Sequence, residues 1–116
     1  MKFLCTVIID DDLAKTMRDE DWAQMNAECR THDSALMERG ILIMAQALVG
    51  PASARTVRVR QGDALITDGP FMESKESLAG FLLIDVADAD AAMDIARHVP
   101  MARLGAIEVR PVMTFA

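Results

Sequence analysis

The strand that the sequence predicts at residues 2–9 is apolar on both of its faces. One face carries four apolar side chains, those of Phe3, Cys5, Val7 and Ile9. The opposite face carries Leu4, Thr6 and Ile8. Because side chains alternate between the faces of a strand, a strand with one solvated face would carry a polar residue at every second position. We therefore predict a central strand, with helices covering one face and a partner surface covering the other.

Length and composition favour a single acidic domain over residues 1–116. The hydrophobic content of 52% is enough for a core. The 18 acidic residues outnumber the 12 basic ones and the aromatic content is 4%, so neither a phosphate backbone nor stacked bases would find a matching surface. No stretch reaches the roughly 20 apolar residues of a membrane span, and residues 3–9 are too short for a signal peptide. We expect a cytoplasmic protein that binds neither nucleic acid nor membrane.

The remaining hydrophobic pattern predicts two helices and five further strands. The first helix begins near Asp19, which is predicted to cap it, and ends at Gly40. Its apolar stripe consists of Trp22, Met25, Cys29 and Leu36. The second helix runs from Asp88 or Asp90 to about His98. The further strands are predicted at residues 41–48, 56–60, 64–67, 78–86 and 106–112.

The strands at residues 56–60 and 64–67 are joined by a short turn and form a predicted hairpin. With this hairpin left out, the chain reads strand, helix, strand, strand, helix, strand, which is the order of an α+β ferredoxin-like domain, βαββαβ. Helices cover only one face of such a sheet. Two sheets that pair through their other faces would cover both, so the pattern predicts a homodimer.

The loop at residues 68–76 gathers turn-forming and ionisable residues. Its Gly69-Pro70 turn is predicted to let Phe71 anchor the loop in the core. Four ionisable side chains then project from it, those of Asp68, Glu73, Lys75 and Glu76. They have two interpretations. Either they line the mouth of a pocket, where Lys75 could polarise a carbonyl group, or they form ion pairs that pin the hairpin to the next strand.

A histidine and three arginines are further candidates for binding or catalysis. His32 lies beside the apolar stripe of the first helix, with Asp33 next to it. It is either a general base whose ring a carboxylate orients, or a boundary histidine of the core. Arg58 and Arg60 share one face of the hairpin. Together with Arg110 they form either an anion site or a solvated charged surface.

The number and spacing of the cysteines and histidines indicate neither a disulfide nor a metal site. Cys5 and Cys29 show no paired spacing, which predicts reduced thiols in apolar surroundings. Cys29 lies in mid-helix among apolar residues, where the pKa of a thiol should rise, so it is a poor candidate nucleophile. His32 and His98 are far apart in the sequence, with no carboxylate-rich helix between them. We therefore predict neither a metal site nor a cofactor.

The stretch DGPFMESKESLAGFLLIDV at residues 68–86 resembles the signature of the YCII-related family, in particular its DGPF-containing branch. TVRVRQG at residues 56–62, ARHVP at 96–100 and EVRPV at 108–112 are also similar to that branch. The resemblance implies a dimeric α+β barrel of ferredoxin-like protomers, with a pocket between sheet and helices. It implies no established reaction. It also implies an association with extracytoplasmic-function sigma factors, beside which such proteins are often encoded.

The broader YCII-like family implies a histidine in the first helix and an aspartate beside the proline that follows the second helix. In this sequence Cys29 and Val99 occupy those two positions. His32 lies one turn later, and His98 lies two residues before Pro100. Because the pair is not reproduced, the resemblance does not by itself carry a lyase or isomerase activity to this chain.

Two functions therefore stay open at the level of sequence. The first is a dimer without established catalysis that binds a small acidic, carboxylated metabolite or a protein partner through the loop and the hairpin. The alternative is an enzyme of lyase or isomerase type with substrate between sheet and helices. Its candidate catalytic residues are His32, Asp68 and Lys75, and its candidate substrate-binding residues are Arg58, Arg110, Glu73 and His98.

Overall fold

The computed structural model describes residues 1–115, which form six strands, three α-helices and two 3-10 turns. The strands are β1 (Lys2–Asp10), β2 (Leu42–Ala47), β3 (Arg55–Arg60), β4 (Asp63–Asp68), β5 (Glu76–Asp85) and β6 (Gly105–Pro111). The helices are α1 (Asp11–Lys15), α2 (Asp19–Glu38) and α3 (Ala89–Arg97). The 3-10 turns span Pro51–Ser53 and Pro100–Leu104. Every predicted strand and both predicted helices are confirmed, with ends that differ by about two residues or fewer.

Four strands form one antiparallel sheet in the order β2-β5-β1-β6. Cys5 of β1 lies opposite Leu82 of β5 on one side and opposite Val109 of β6 on the other. The strand with two apolar faces is therefore an interior strand, as predicted. β3 and β4 pair with each other in a separate two-stranded sheet, which we call the ribbon. The fold is α+β with antiparallel sheets.

The core lies between one face of the four-stranded sheet and the two longer helices. Phe3 and Cys5 of β1 and Ile84 of β5 are almost completely buried there. The cluster is completed by Val7, Leu36, Leu42, Leu82, Ala92, Ile95 and Val99. The small buried face of α3 lets this helix lie close to the sheet.

The other face of the sheet is only partly covered. The register places Leu4 opposite Leu83, and Leu83 opposite Met44, on the face away from Cys5. All three side chains stay partly or largely exposed. The chain measures 47 × 46 × 19 Å and has a radius of gyration of 16.1 Å, against about 13 Å for a compact domain of this length. It is a slab about one helix layer and one sheet layer thick. The outer face of the sheet is apolar on β1 and β5, while β6 places Arg110 opposite Leu4 and Glu108 opposite Thr6 on it.

Two helix starts differ from prediction. The sequence analysis did not predict α1, which begins in the acidic run that follows β1. The Asp10 carboxylate accepts hydrogen bonds from two backbone N–H groups of the first turn, at 2.8 and 3.2 Å. The predicted cap of α2 is wrong, since Arg18 and not Asp19 occupies the cap position. The backbone N–H of Arg18 donates to the Asp21 carboxylate at 2.9 Å, which stabilises the helix start.

The predicted anchoring of Phe71 in the core is also wrong. Its side chain is 62% exposed, and the Arg58 guanidinium lies 4.5 Å from the centroid of its ring. This is a cation–π contact at the surface. The backbone holds the loop instead, because the N–H of Gly69 donates to the carbonyl oxygen of Ala54 at 2.7 Å. Gly69 has a φ of 92°, a conformation that glycine adopts readily.

Gly80 provides a test of how closely β5 packs against β2. A Cβ atom at Gly80 would lie 2.5 Å from the carbonyl oxygen of Gln46, so the backbone of two paired strands would have to shift. We expect Gly80→Ala to lower the free energy of unfolding by about 1–3 kcal/mol in urea denaturation. A Cβ atom at Gly50 would meet nothing within 4 Å. Gly50→Ala is the matched control and should change stability by less than about 0.5 kcal/mol. Equal stability of the two variants would contradict the strand packing described here.

Candidate functional site

A cavity of about 170 Å³ lies between α2 and the helix-facing side of the sheet. The sheet contributes small residues to its wall, Ala45, Ala47, Ala79 and Gly80. The helix contributes Asn26, Cys29, His32 and Asp33. Val99, Pro100 and Met101 lie at the turn that follows α3 and complete this part of the wall. Cys29, His32 and Asp33 share one face of α2, because His32 and Asp33 follow Cys29 by three and four residues. Opposite them, the small side chains of the strands leave the space open.

His32 brings a buried and unpaired ring nitrogen to this cavity. Its side chain is 16% exposed, and its Nδ1 atom is buried without a hydrogen-bond partner. Asp33 Oδ1 lies 3.7 Å from Nδ1, which is too long for a hydrogen bond and leaves an electrostatic contact. Buried polar atoms of folded proteins nearly always have a partner. Nδ1 of His32 is therefore a buried hydrogen-bonding group without a partner, in a side chain that lines the cavity.

Burial raises the pKa of two acidic side chains of the cavity, which favours their neutral forms. It raises the pKa of the Asp33 carboxyl above its ordinary value, although the His32 ring lowers it to a smaller extent. Burial also raises the pKa of the Cys29 thiol, and the carboxylates of Asp33 and Glu28 add to the effect. Because the thiolate is the nucleophilic form, Cys29 is a poor nucleophile at neutral pH, in line with the sequence-based expectation.

An ion pair ties α2 to the turn at Pro100–Leu104, beside the cavity. The Arg103 guanidinium donates two hydrogen bonds to the Glu28 carboxylate and approaches the Met25 sulfur at 3.6 Å. The hydrogen bond from Arg103 is the main reason why the pKa of Glu28 is lowered. This pair could not be predicted from the sequence, because no local pattern connects side chains that are 75 positions apart.

The structure does not bring the three candidate catalytic residues together. His32 lines the cavity, whereas Asp68 and Lys75 are absent from its wall. Asp68 ends β4, is 95% exposed and pairs with Arg55 at 3.5 Å. Lys75 is 85% exposed and lies 3.9 Å from Asp12. The loop places both groups at the surface, because its turn anchors it to the base of the ribbon rather than to the core.

The four candidate substrate-binding residues are also dispersed. Arg58 covers the ring of Phe71, and Glu73 lines a groove beside that ring. Arg110 is exposed on β6, and His98 is exposed at the end of α3. None of the four lines the cavity. Within residues 1–115, no group of three or more metal-binding side chains is arranged to hold an ion, and no helix is long and apolar enough to span a membrane.

Asp33→Asn tests the desolvation of the cavity carboxylate. A carboxyl with a raised pKa in the folded state contributes stability below its unfolded pKa and loses that contribution as pH rises through the folded pKa. Asn resembles the protonated form. We therefore expect this variant to have a higher Tm than the native chain at pH 7, and the difference should shrink as the pH is lowered toward 4.

Scanning calorimetry at the two pH values measures the effect. Asp12→Asn is the control, because that carboxylate is largely exposed beside Lys75, and its Tm should change little at either pH. A lower Tm for Asp33→Asn than for the native chain at pH 7 would show that the carboxylate stabilises the fold in its charged form.

Comparisons with known proteins agree with this architecture. A protein of Rhizobium meliloti (strain 1021) described as uncharacterised is 42% identical over 81 residues, which cover 68% of this chain and 65%, slightly under two thirds, of that protein. The structure of 5-chloro-2-hydroxyhydroquinone dehydrochlorinase (TftG) from Burkholderia phenoliruptrix AC1100, in complex with 2,5-dihydroxybenzoquinone, superposes with a TM-score of 0.52. That match covers 97% of this chain and 94% of the other, at 13% identity, and shows a shared fold alone. The model of the YCII-related domain matches residues 1–116, so the chain belongs to the YCII-related family.

Proposed function

We propose that the chain binds a small uncharged organic molecule in the cavity between α2 and the sheet, as one protomer of a dimeric α+β barrel. The observation that carries the binding proposal is the buried, unpaired Nδ1 of His32 beside that cavity. The sheet order β2-β5-β1-β6 supports ferredoxin-like protomers. The partly exposed apolar face of the same sheet supports a homodimer, since a second copy would cover it.

The wall of the cavity favours an uncharged ligand over the carboxylated metabolite that the sequence predicted. Among the described residues that line it, Asp33 is the one carboxylate and none is Lys or Arg. A carboxylated ligand would therefore meet a like charge without a compensating cation. Asn26, His32 and Gln46 offer hydrogen bonds to hydroxyl, carbonyl or amide groups. The volume lies below the roughly 300–1,000 Å³ of sites for drug-sized ligands, which favours a single small ring or a short chain.

An enzyme of lyase or isomerase type is the second candidate, and the contact between His32 and Asp33 favours it. In this candidate function His32 takes a proton from the ligand, and the nearby carboxylate stabilises the charged ring. The solved structure of similar fold is a dehydrochlorinase. One observation speaks against catalysis. Cys29 and Val99 line the cavity at the two positions where the broader family resemblance implies a histidine and an aspartate. A valine cannot transfer a proton. Binding is therefore the first proposal.

Two predictions concern the partners and the location of the protein. An association with a sigma factor rests on the family resemblance, and it stays a prediction. The cytoplasmic location likewise stays a prediction. Both concern surfaces or conditions outside the cavity, so neither affects the ligand class proposed for it.

Benzamide and benzoate form a matched pair that tests the ligand class. They have nearly the same shape, but only benzoate carries a negative charge. We expect benzamide, and the uncharged diol hydroquinone, to shift the backbone NMR signals of α2 and β5 in a titration of labelled protein. Benzoate at the same concentrations should shift them much less. Stronger binding of benzoate than of benzamide would contradict the proposed preference.

His32→Leu tests whether the unpaired ring nitrogen contacts the ligand. Loss of one hydrogen bond to a buried group should raise the Kd for benzamide by about 10-fold. His98→Leu is the matched control, because that ring is exposed at the end of α3 and its Nδ1 already lies 2.8 Å from the Asp94 carbonyl oxygen. The control should leave the Kd unchanged. Equal Kd values for both variants would remove His32 from the binding site.

A further inference from the structure

A groove of about 740 Å³ is lined by the two segments that enter and leave the ribbon, within residues 48–54 and 70–78. Backbone hydrogen bonds hold these segments in place. The N–H of Leu48 donates to the carbonyl oxygen of Ala79 at 2.8 Å, and the N–H of Gly69 donates to that of Ala54 at 2.7 Å. The walls of the groove are therefore tied together by the backbone of the fold.

Large apolar side chains of this groove are exposed to solvent. Those of Val49, Phe71 and Met72 are 62–82% exposed, and Leu48 and Leu78 are about half exposed. Sites for small molecules bury most of the surface of their ligand, which walls as open as these do not achieve. Contiguous exposed apolar side chains mark sites of protein interaction, where Phe and Met are enriched. The groove is therefore suited to a segment of another protein.

The lining of the groove is acidic. Within the described residues it includes the carboxylates of Glu73 and Glu76 and no Lys or Arg. Neither carboxylate forms an ion pair with another residue of the chain from 1 to 115. Arg58 lies over the ring of Phe71 and can offset only one of the two charges. The neighbouring cations face carboxylates elsewhere, Arg55 beside Asp68 and Lys75 beside Asp12.

We propose that this groove binds a segment of a different protein that carries apolar side chains flanked by Lys or Arg. The apolar side chains would pack on Val49, Phe71 and Met72, and the cations would face the two unpaired carboxylates. A different protein is favoured over a second copy, because this chain has 18 acidic residues against 12 basic ones. The inference depends neither on a ligand in the helix-side cavity nor on the homodimer.

Two capped pentapeptides of opposite charge test the class of partner, Lys-Leu-Phe-Leu-Lys and Glu-Leu-Phe-Leu-Glu. We expect the basic peptide to shift the backbone NMR signals of residues 48–54 and 70–78 in a titration of labelled protein. Its Kd should be at least about 10-fold lower than that of the acidic peptide in low salt. If the acidic peptide binds as tightly, or if the basic peptide shifts the signals of other surfaces only, the proposal is overturned.

A double variant separates the groove from the overall negative charge of the protein. Glu73→Gln with Glu76→Gln should raise the Kd of the basic peptide at least about 3-fold. Glu38→Gln with Asp63→Asn is the control, because it removes the same charge from two exposed residues outside the groove. Equal Kd values for the two double variants would show that attraction to the whole protein, and not to this groove, drives binding.

Met72→Ser and Met113→Ser form a matched pair for the apolar contact. The two methionines are 72% and 73% exposed, but only Met72 lines the groove. We expect Met72→Ser to raise the Kd of the basic peptide about 5-fold and Met113→Ser to leave it unchanged. Sedimentation equilibrium of the same variants identifies the other possible occupant. If Met72→Ser weakens self-association and leaves peptide binding unchanged, a second copy occupies the groove and the proposal is overturned.

Discussion

The partly covered outer face of the four-stranded sheet, apolar on β1 and β5, is the constraint on which the rest of the structure depends. β1 is apolar on both sides, so its place between β5 and β6 buries Phe3 and Cys5 against the helices and leaves Leu4 facing outward. A slab 19 Å thick has no second layer to cover that outer face. Burial of apolar area contributes roughly 25 cal/mol per Å², so the exposed apolar side chains of this face favour association. The helix-side cavity takes one of its walls from this sheet.

The cavity exists because small residues of the sheet face one stripe of α2. Ala45, Ala79 and Gly80 leave space where larger side chains would continue the core. Across that space, burial raises the pKa of Asp33 and of Cys29, and it leaves Nδ1 of His32 unpaired. Such surroundings favour hydrogen bonding to a neutral ligand over recognition of an anion. The chemistry is therefore set by burial, and not by the exposed charges of the loop at residues 68–76.

Much of the fold could be predicted from residue patterns, and much of the site could not. Strand periodicity identified β1 and the ribbon, and the stripe that includes Met25 identified α2, because alternation and helical spacing are local signals. His32 was a candidate for the same reason, since its distance from that stripe can be read along one helix. The exposure of the loop at residues 68–76 could not be predicted from its residue types. An apolar Phe71 is typical of a core anchor, yet its ring packs under Arg58 at the surface. The contact between Glu28 and Arg103 depends on tertiary structure alone.

We propose that the outer sheet face is an interface between two copies of the chain. Isotope-filtered NMR on a mixture of methyl-labelled and unlabelled protein tests it most directly. We predict intermolecular NOEs from the methyl groups of Leu4, Ile8 and Leu83, which lie on that face. Methyl groups of Leu36 and Ile95, buried on the helix side, should show contacts within one chain only. If these outer-face methyl groups show no intermolecular NOEs at protein concentrations up to 1 mM, the proposed interface is contradicted.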